Sequence, residues 1–360
     1  MNSFPPLKLI AAALLGILSA GCVSSGALYK VFPVLNDGKY DSEFPYRNAS
    51  PQLEQISNSI KLVNSIAFYT SYVFNRQSGI RGIEIGKTSL EKNAVEKIFY
   101  DRTASGTATI IYNRLGRVVL LTCAHIIAFP DTIVSYFVNS DGSLSPYIQS
   151  ISIKSRQTNY VNDLPDNGEL DILLMDKTRD VALLDRTFSV NKTVGLPVFS
   201  YPWGHSEELE WGDFVYIFGF PMNMKVVTKG IVSSPIKDKQ TFLIDAAYNK
   251  GFSGGIVLAI RDGVPNFEFV GLVKSVPAEY NYTLRPMVKE NDLEYNPMIP
   301  YKGDFFVDKE QIIRPGLTKV IGIEAVKEFI LEHKQTLSSQ GYIFEDLFST
   351  PNSLRLELTH

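Results

Sequence analysis

From about residue 60 to 325 the chain alternates short apolar runs with turn-forming clusters. The runs "IAFYTSYVF", "GTATIIYN", "RVVLLTCA", "IQSISIKS", "DILLMD", "FVYIFGF", "KVVTKGIVSS", "QTFLIDAAY", "GIVLAI" and "FEFVGLVKSV" are rich in β-branched and aromatic residues, the chemistry of strands. Breakers such as "NRLG", "NSDGS" and "RDGVPN" separate them. Strands at this density, with few helical periods between them, predict an all-β sandwich or pair of barrels. "KTVGLPVFSYPWG", residues 192–204, divides them into halves of similar strand content and marks the internal boundary.

Two regions depart from this rhythm. Residues 277–314 carry Pro, Tyr, Asn and charge without a clear period and read as a long inserted loop before the last strand. "IEAVKEFILEHKQTL" places Val326, Phe329 and Ile330 at helical spacing and predicts a C-terminal helix packed on the second half.

The first 22 residues read as a processing segment: Lys8, then "LIAAALLGILSAGC", an apolar run too short to span a membrane comfortably. Its ending resembles the lipobox of bacterial lipoproteins, with Ser19 where Leu is usual. That resemblance implies cleavage before Cys22, lipidation of Cys22, and, because Val23 rather than Asp follows, an outer-membrane location facing the periplasm. Residues 22–55, polar and Pro-containing, are expected to be a tether. With Cys22 lipidated, Cys123 is the one remaining cysteine and no internal disulfide forms.

Composition changes little in this picture. With 360 residues, 45% of them hydrophobic and 20% charged, the chain is an ordinary globular sequence, and a net charge of −3 gives no reason to expect a nucleic-acid partner.

The candidate chemistry begins with four histidines. His205 and His333 lie among charges and read as surface. None of the four has a second ligand at metal-binding spacing, so no metal or cofactor is expected. His125 follows "VVLLTCA", where a strand runs out into a turn. Asp180 opens the run "VALLD", and Ser253 lies in "NKGFSGGIVL", a glycine turn entering a buried strand. Each alone has an ordinary structural explanation. Together, His, Asp and Ser stand in that order, about 55 and 73 positions apart, each beside a β run.

The joint pattern resembles the chymotrypsin-like serine endopeptidases, most closely the bacterial HtrA/Deg-type and glutamyl-endopeptidase-like branches. "SGTATIIYN", "VVLLTCAHI", "RDVALL", "GLPVFSYPWGHSEELEWGDFVYIFGFPM", "VVTKGIVSS", "LIDAAYNKGFSGGIVL", "FVGLVKSV" and "GLTKVIGIEAVKEFI" each match that family's motifs in order, over about residues 60–335. The resemblance implies two six-stranded antiparallel β-barrels with a C-terminal helix. The first barrel would span 56–191, the second with the helix 192–340, and 341–360 would be a tail. It further implies a His125–Asp180–Ser253 triad and an oxyanion hole from the N–H groups of Gly251 and Ser253. Ala247, Tyr248, Val273 and Lys274 are expected on the substrate side.

The chemistry accounts for these residue types. A serine hydroxyl needs a base within hydrogen-bond reach, His supplies it, and Asp holds the imidazole in the useful tautomer. Oxyanion donors of this kind contribute about 3–4 kcal/mol each. Phe252 stands where the family usually has Asn or Asp, which excludes activation by pairing that acid with a new N-terminus; the enzyme is expected to be constitutive or gated by loops such as 221–230 and 246–252. The trypsin-type acid is replaced by Ala247, so a small or aliphatic side chain before the scissile bond is expected, with Lys274 read as an exposed lysine. No PDZ-like segment is expected after residue 340, and the oligomeric state stays open. The leading expectation is therefore an envelope-facing, lipid-anchored serine endopeptidase acting on proteins or peptides. The competing one is a non-catalytic, chaperone-like binding module on the same fold. An esterase of the nucleophile-elbow type is disfavoured, because its serine precedes Asp and His in the chain.

Overall fold

A computed structural model describes residues 36–45, 47–82, 89–139, 142–235, 240–246, 249–275, 278–286, 298, 305–313, 316–344 and 347–348. Among these the chain is mostly antiparallel strand. In the first half, β1 (Ile60–Val73), β2 (Glu96–Arg114), β3 (Arg117–Thr122), β4 (Thr132–Val138), β5 (Leu144–Tyr160), β6 (Glu169–Asp176) and β7 (Val181–Thr187) hydrogen-bond in the order β1-β2-β3-β7-β6-β5-β4. Pairing of β1 with β5 closes six of them into a barrel and leaves β4 as an outlying strand on β5. In the second half, β8 (Phe214–Gly219), β9 (Val226–Ser234), β10 (Thr241–Ala246), β11 (Ile256–Ile260), β12 (Phe267–Ser275) and β15 (Gly316–Gly322) close in the order β10-β15-β12-β11-β8-β9. Two six-stranded antiparallel barrels followed by the helix Ile323–Glu332 make the fold chymotrypsin-like, as expected.

The strands nearest the centre are apolar on both faces. "VVLLT" of β3 and "IVLAI" of β11 are buried throughout, because one face fills a barrel and the other meets neighbouring packed structure. One apolar cluster runs continuously from Leu120 and Leu183 of the first barrel to Phe218, Ile256 and Leu272 of the second. A second cluster, including Val215, Ile217, Phe252, Val257 and Val270, fills the second barrel alone.

Three segments differ from the sequence reading. Residues 277–314 are not all loop: β13 (Ala278–Pro286) pairs with β14 (Phe305–Ile313) as a two-stranded ribbon. Pro, Asn and charge in these residues hid the alternation by which strands are read from sequence. The expected tether also enters the fold early. Tyr40 is buried and donates its hydroxyl hydrogen to Glu268 Oε2 at 2.6 Å, Asp41 N–H donates to Ile260 O at 2.9 Å, and Ser50–Ser59 is a helix that buries Ile56. At the other end, Tyr342 and Phe344 of the expected tail pack against Tyr112 of β2, and the Tyr342 hydroxyl hydrogen-bonds Asp185 of β7. Cys22 lies outside the described residues, and among these no helix is long and apolar enough to cross a membrane.

Candidate active site

β3 ends at Thr122, and after Cys123 a single helical turn, Ala124–Ile127, follows. Cys123, Ala124, Ile126 and Ile127 are buried, so the turn aims His125 alone outward, its side chain 46% exposed. Ala124 N–H donates to Asp180 O at 3.2 Å and ties the turn to the start of β7.

Asp180 takes a left-handed backbone conformation, φ 64°, that Asp tolerates better than most side chains. This bend drives the carboxylate inward, where the residue is 5% exposed. Oδ1 accepts the backbone N–H of His125 at 2.8 Å, and Nδ1 of the imidazole lies 3.0 Å from Oδ1 and 2.8 Å from Oδ2. A buried carboxylate accepts, so Nδ1 carries the proton and Nε2 keeps its lone pair as a base.

Ser253 is 6% exposed and lies on a turn whose backbone is fixed from both barrels. Its carbonyl accepts the N–H of Thr107 in β2 at 2.8 Å, Gly254 N–H donates to Val273 O in β12 at 2.8 Å, and Gly255 N–H returns to Phe252 O at 2.8 Å. Two glycines are required. Gly251 has φ 111° and a Cβ there would lie 2.2 Å from Phe220 O; Gly254 has φ 79° and a Cβ would lie 2.1 Å from Thr107 O. Both obstacles are backbone atoms that cannot swing aside, so neither position accepts a side chain. The hypothetical Gly254 Cβ would also lie 3.2 Å from Cys123 N, which puts the Ser253 turn against the end of the strand that leads to His125.

Lys274 links two of the three residues. Its carbonyl accepts the Ser253 hydroxyl at 3.2 Å, and its ammonium is 3.9 Å from Asp180 Oδ2. Expected to be exposed, it is half-buried, because its stem follows β12 past the carboxylate. Val273, expected on the substrate side, has its side chain buried in the second barrel, and its N–H donates to Gly255 O at 2.7 Å. Ala247 and Tyr248 lie outside the described residues.

Thr107 was missed by the sequence reading although it sits in the quoted "SGTATIIYN". Beyond its bond to Ser253 O, its hydroxyl donates to Gly251 O at 2.8 Å and accepts Phe220 N–H at 3.1 Å, holding the turn that carries the expected oxyanion donors. His205 is exposed, as expected, whereas His333 is half-buried with Nδ1 2.8 Å from Phe329 O.

Cys123, His125 and Asp180 bring potential metal-ligating atoms within 4.8 Å of one another. The donor set does not fit a metal. Burial, reinforced by the charge of Asp180, pushes the Cys123 thiol well above its ordinary value, and its S–H donates to Val273 O at 3.3 Å. A metal needs the thiolate.

Residues 106–271, a span that holds His125, Asp180 and Ser253, match the family model of the trypsin-like peptidase domain. Comparison with curated proteins returned no match. Among solved structures, the chain is similar to a thermostable serine protease, AL20, from an extremophilic microorganism, at 10% identity and a TM-score of 0.39, over 78% of this chain and 99% of that one.

Proposed function

We propose that the chain is a serine endopeptidase in which Ser253 is the nucleophile, His125 the general base and acid, and Asp180 the group that orients His125. The observation that carries this reading is the double contact of Asp180 with His125, to the ring Nδ1 and to the backbone N–H, which leaves Nε2 as the basic nitrogen. In the reaction, Nε2 takes the Ser253 proton as Oγ bonds to the substrate carbonyl carbon, and the carbonyl oxygen gains the negative charge. Gly251 and Ser253 N–H groups receive that charge. Collapse of the tetrahedral adduct breaks the C–N bond, and the imidazolium passes its proton to the departing amine. Water then repeats the sequence on the acyl-enzyme and frees Ser253.

The substrates are exposed or unfolded segments of envelope proteins. The chain reaches them as a lipoprotein, anchored through Cys22 at the outer membrane and facing the periplasm. The "SAGC" ending of the leader supports that placement.

Ser253→Ala tests the reading. Wild type is expected to hydrolyse unfolded casein and to be labelled by a fluorophosphonate, and the variant to do neither. Wild-type protein that binds casein yet is neither labelled nor proteolytic would overturn it in favour of a binding module.

A further inference from the structure

The long strand β2 runs well beyond what the first barrel uses. Its partner on one side, β1, pairs with it without a register shift from Ile60↔Thr109 to Val73↔Glu96. On the other side β3 covers only residues 109–114. Among the described residues no strand pairs with the outer edge of 97–105.

The direction of that edge follows from the ladder. In an antiparallel strand the N–H and C=O of one residue point to the same side, and successive residues alternate. Thr107 N–H donates to Ser253 O, and Thr107 O accepts the Thr122 hydroxyl at 2.7 Å; both point away from β1. Ser105, Thr103, Asp101, Phe99 and Lys97 therefore also turn their backbone groups away from β1. At about 3.4 Å per residue this edge is about 27 Å long, and it ends at the candidate nucleophile.

Two of the devices that protect an edge are absent: residues 96–105 contain no Pro and the register with β1 has no bulge, and charge is confined to Glu96, Lys97, Asp101 and Arg102. Apolar side chains are exposed along it: Phe99 is 73% exposed, with Val95 and Ile98 also exposed. Phe68, diagonal to Phe99 across the β1 pairing, adds to the apolar surface beside the edge.

We propose that the outer edge of β2 over Lys97–Thr103 is a docking rail for the polypeptide segment that follows the scissile bond, which adds to it as a further β-strand. The inference rests on the endopeptidase reading. Lys274, on the second-barrel side of Ser253, lies in the segment assigned to the residue before that bond, whereas β2 reaches Ser253 from the first barrel. Main-chain hydrogen bonds tolerate any sequence, and the exposed aromatic and aliphatic side chains favour apolar residues, which is the chemistry of an unfolded chain. The rail makes the enzyme select substrates by the length of extended chain available after the cut.

The experiment uses full-length wild type and internally quenched peptides that share one sequence before the scissile bond and carry two, five or ten residues after it. Between two and ten residues kcat/KM is expected to rise at least about tenfold. N-methylation beyond the third residue after the bond is expected to cost about fivefold at alternate positions only, since each lost hydrogen bond is worth about 1 kcal/mol. Asp101→Pro removes an outward N–H at a position where an edge proline is tolerated. It should abolish the advantage of long peptides while leaving cleavage of the shortest peptide and fluorophosphonate labelling unchanged. Rates independent of length, or N-methyl effects without period two, would overturn the rail while leaving the endopeptidase reading intact. A concentration-dependent dimer lost in Asp101→Pro would assign the edge to a second copy and overturn it as well. Wild type that neither cleaves the shortest peptide nor takes the label would remove the endopeptidase reading, and the rail with it.

Discussion

Replacing Phe252 by Ala should cost the protein much of its stability and its reactive serine together. Phe252 is 3% exposed, and its ring lies against the backbone of β8: a Cβ on Gly219 would be only 2.5 Å from Phe252 Cδ1. The ring is part of the second-barrel core with Val215, Ile217 and Val270. An aromatic side chain buries at least about 150 Å², which at about 25 cal/mol per Å² is worth roughly 4 kcal/mol. That falls within the range of about 3–5 kcal/mol seen for Phe→Ala in cores, against a typical total of about 5–15 kcal/mol. With a urea slope near 3 kcal/mol per M, the unfolding midpoint should fall by about 1.3 M. Fluorophosphonate labelling without denaturant should slow too, because the same ring anchors the turn between Gly251 and Ser253. Phe252→Leu should retain most of both. A midpoint shift below about 0.3 M in Phe252→Ala, less than about 1 kcal/mol on that slope, would show that the ring does not anchor this turn.

Two further outcomes are expected. Burial raises the Asp213 carboxyl to about 6, above its unfolded value, so the native state keeps a proton that the unfolded state sheds, and stability falls as pH rises from about 4 to 6. Asp213→Asn retains an oxygen for the Glu210 N–H at 2.6 Å and removes the charge; above pH 6 it should be more stable than wild type by about 3 kcal/mol, with the two urea midpoints converging near pH 4. Cys22→Ser should prevent incorporation of labelled palmitate during expression in a bacterial envelope and release the protein from the membrane fraction; equal incorporation in both would rule out Cys22 as the anchor.

The barrels were legible because their strands carry continuous or alternating apolar patterns, as in "VVLLT" and "IVLAI". The candidate triad rests on motif order; in the structure His125 and Asp180 touch each other, and the Ser253 turn lies against the end of the strand that leads to His125. What stayed hidden depends on contacts far apart in sequence. Nothing local marks Thr107 as the brace for a turn that contains Gly251, 144 positions away. The lysine character of Lys274 suggested solvent, yet its strand carries it past Asp180. The N-terminal half of β2, "EKIFYDRTAS", mixes charge with aromatics because it is solvated, and a solvated strand lacks the alternation that would announce it.

The two ends of the described chain are exchanged. Tyr40 and Asp41 are fastened to the second barrel through Glu268 and Ile260, whereas Tyr342 and Phe344 close over the first through Tyr112 and Asp185. During synthesis Tyr40 emerges from the ribosome more than 200 residues ahead of Glu268, its partner, and the first barrel waits for Tyr342 and Phe344 to cover it. A chain stopped at residue 204 has neither the surface on which Tyr40 rests nor the lid over Tyr112, so neither half is sealed by its own strands alone.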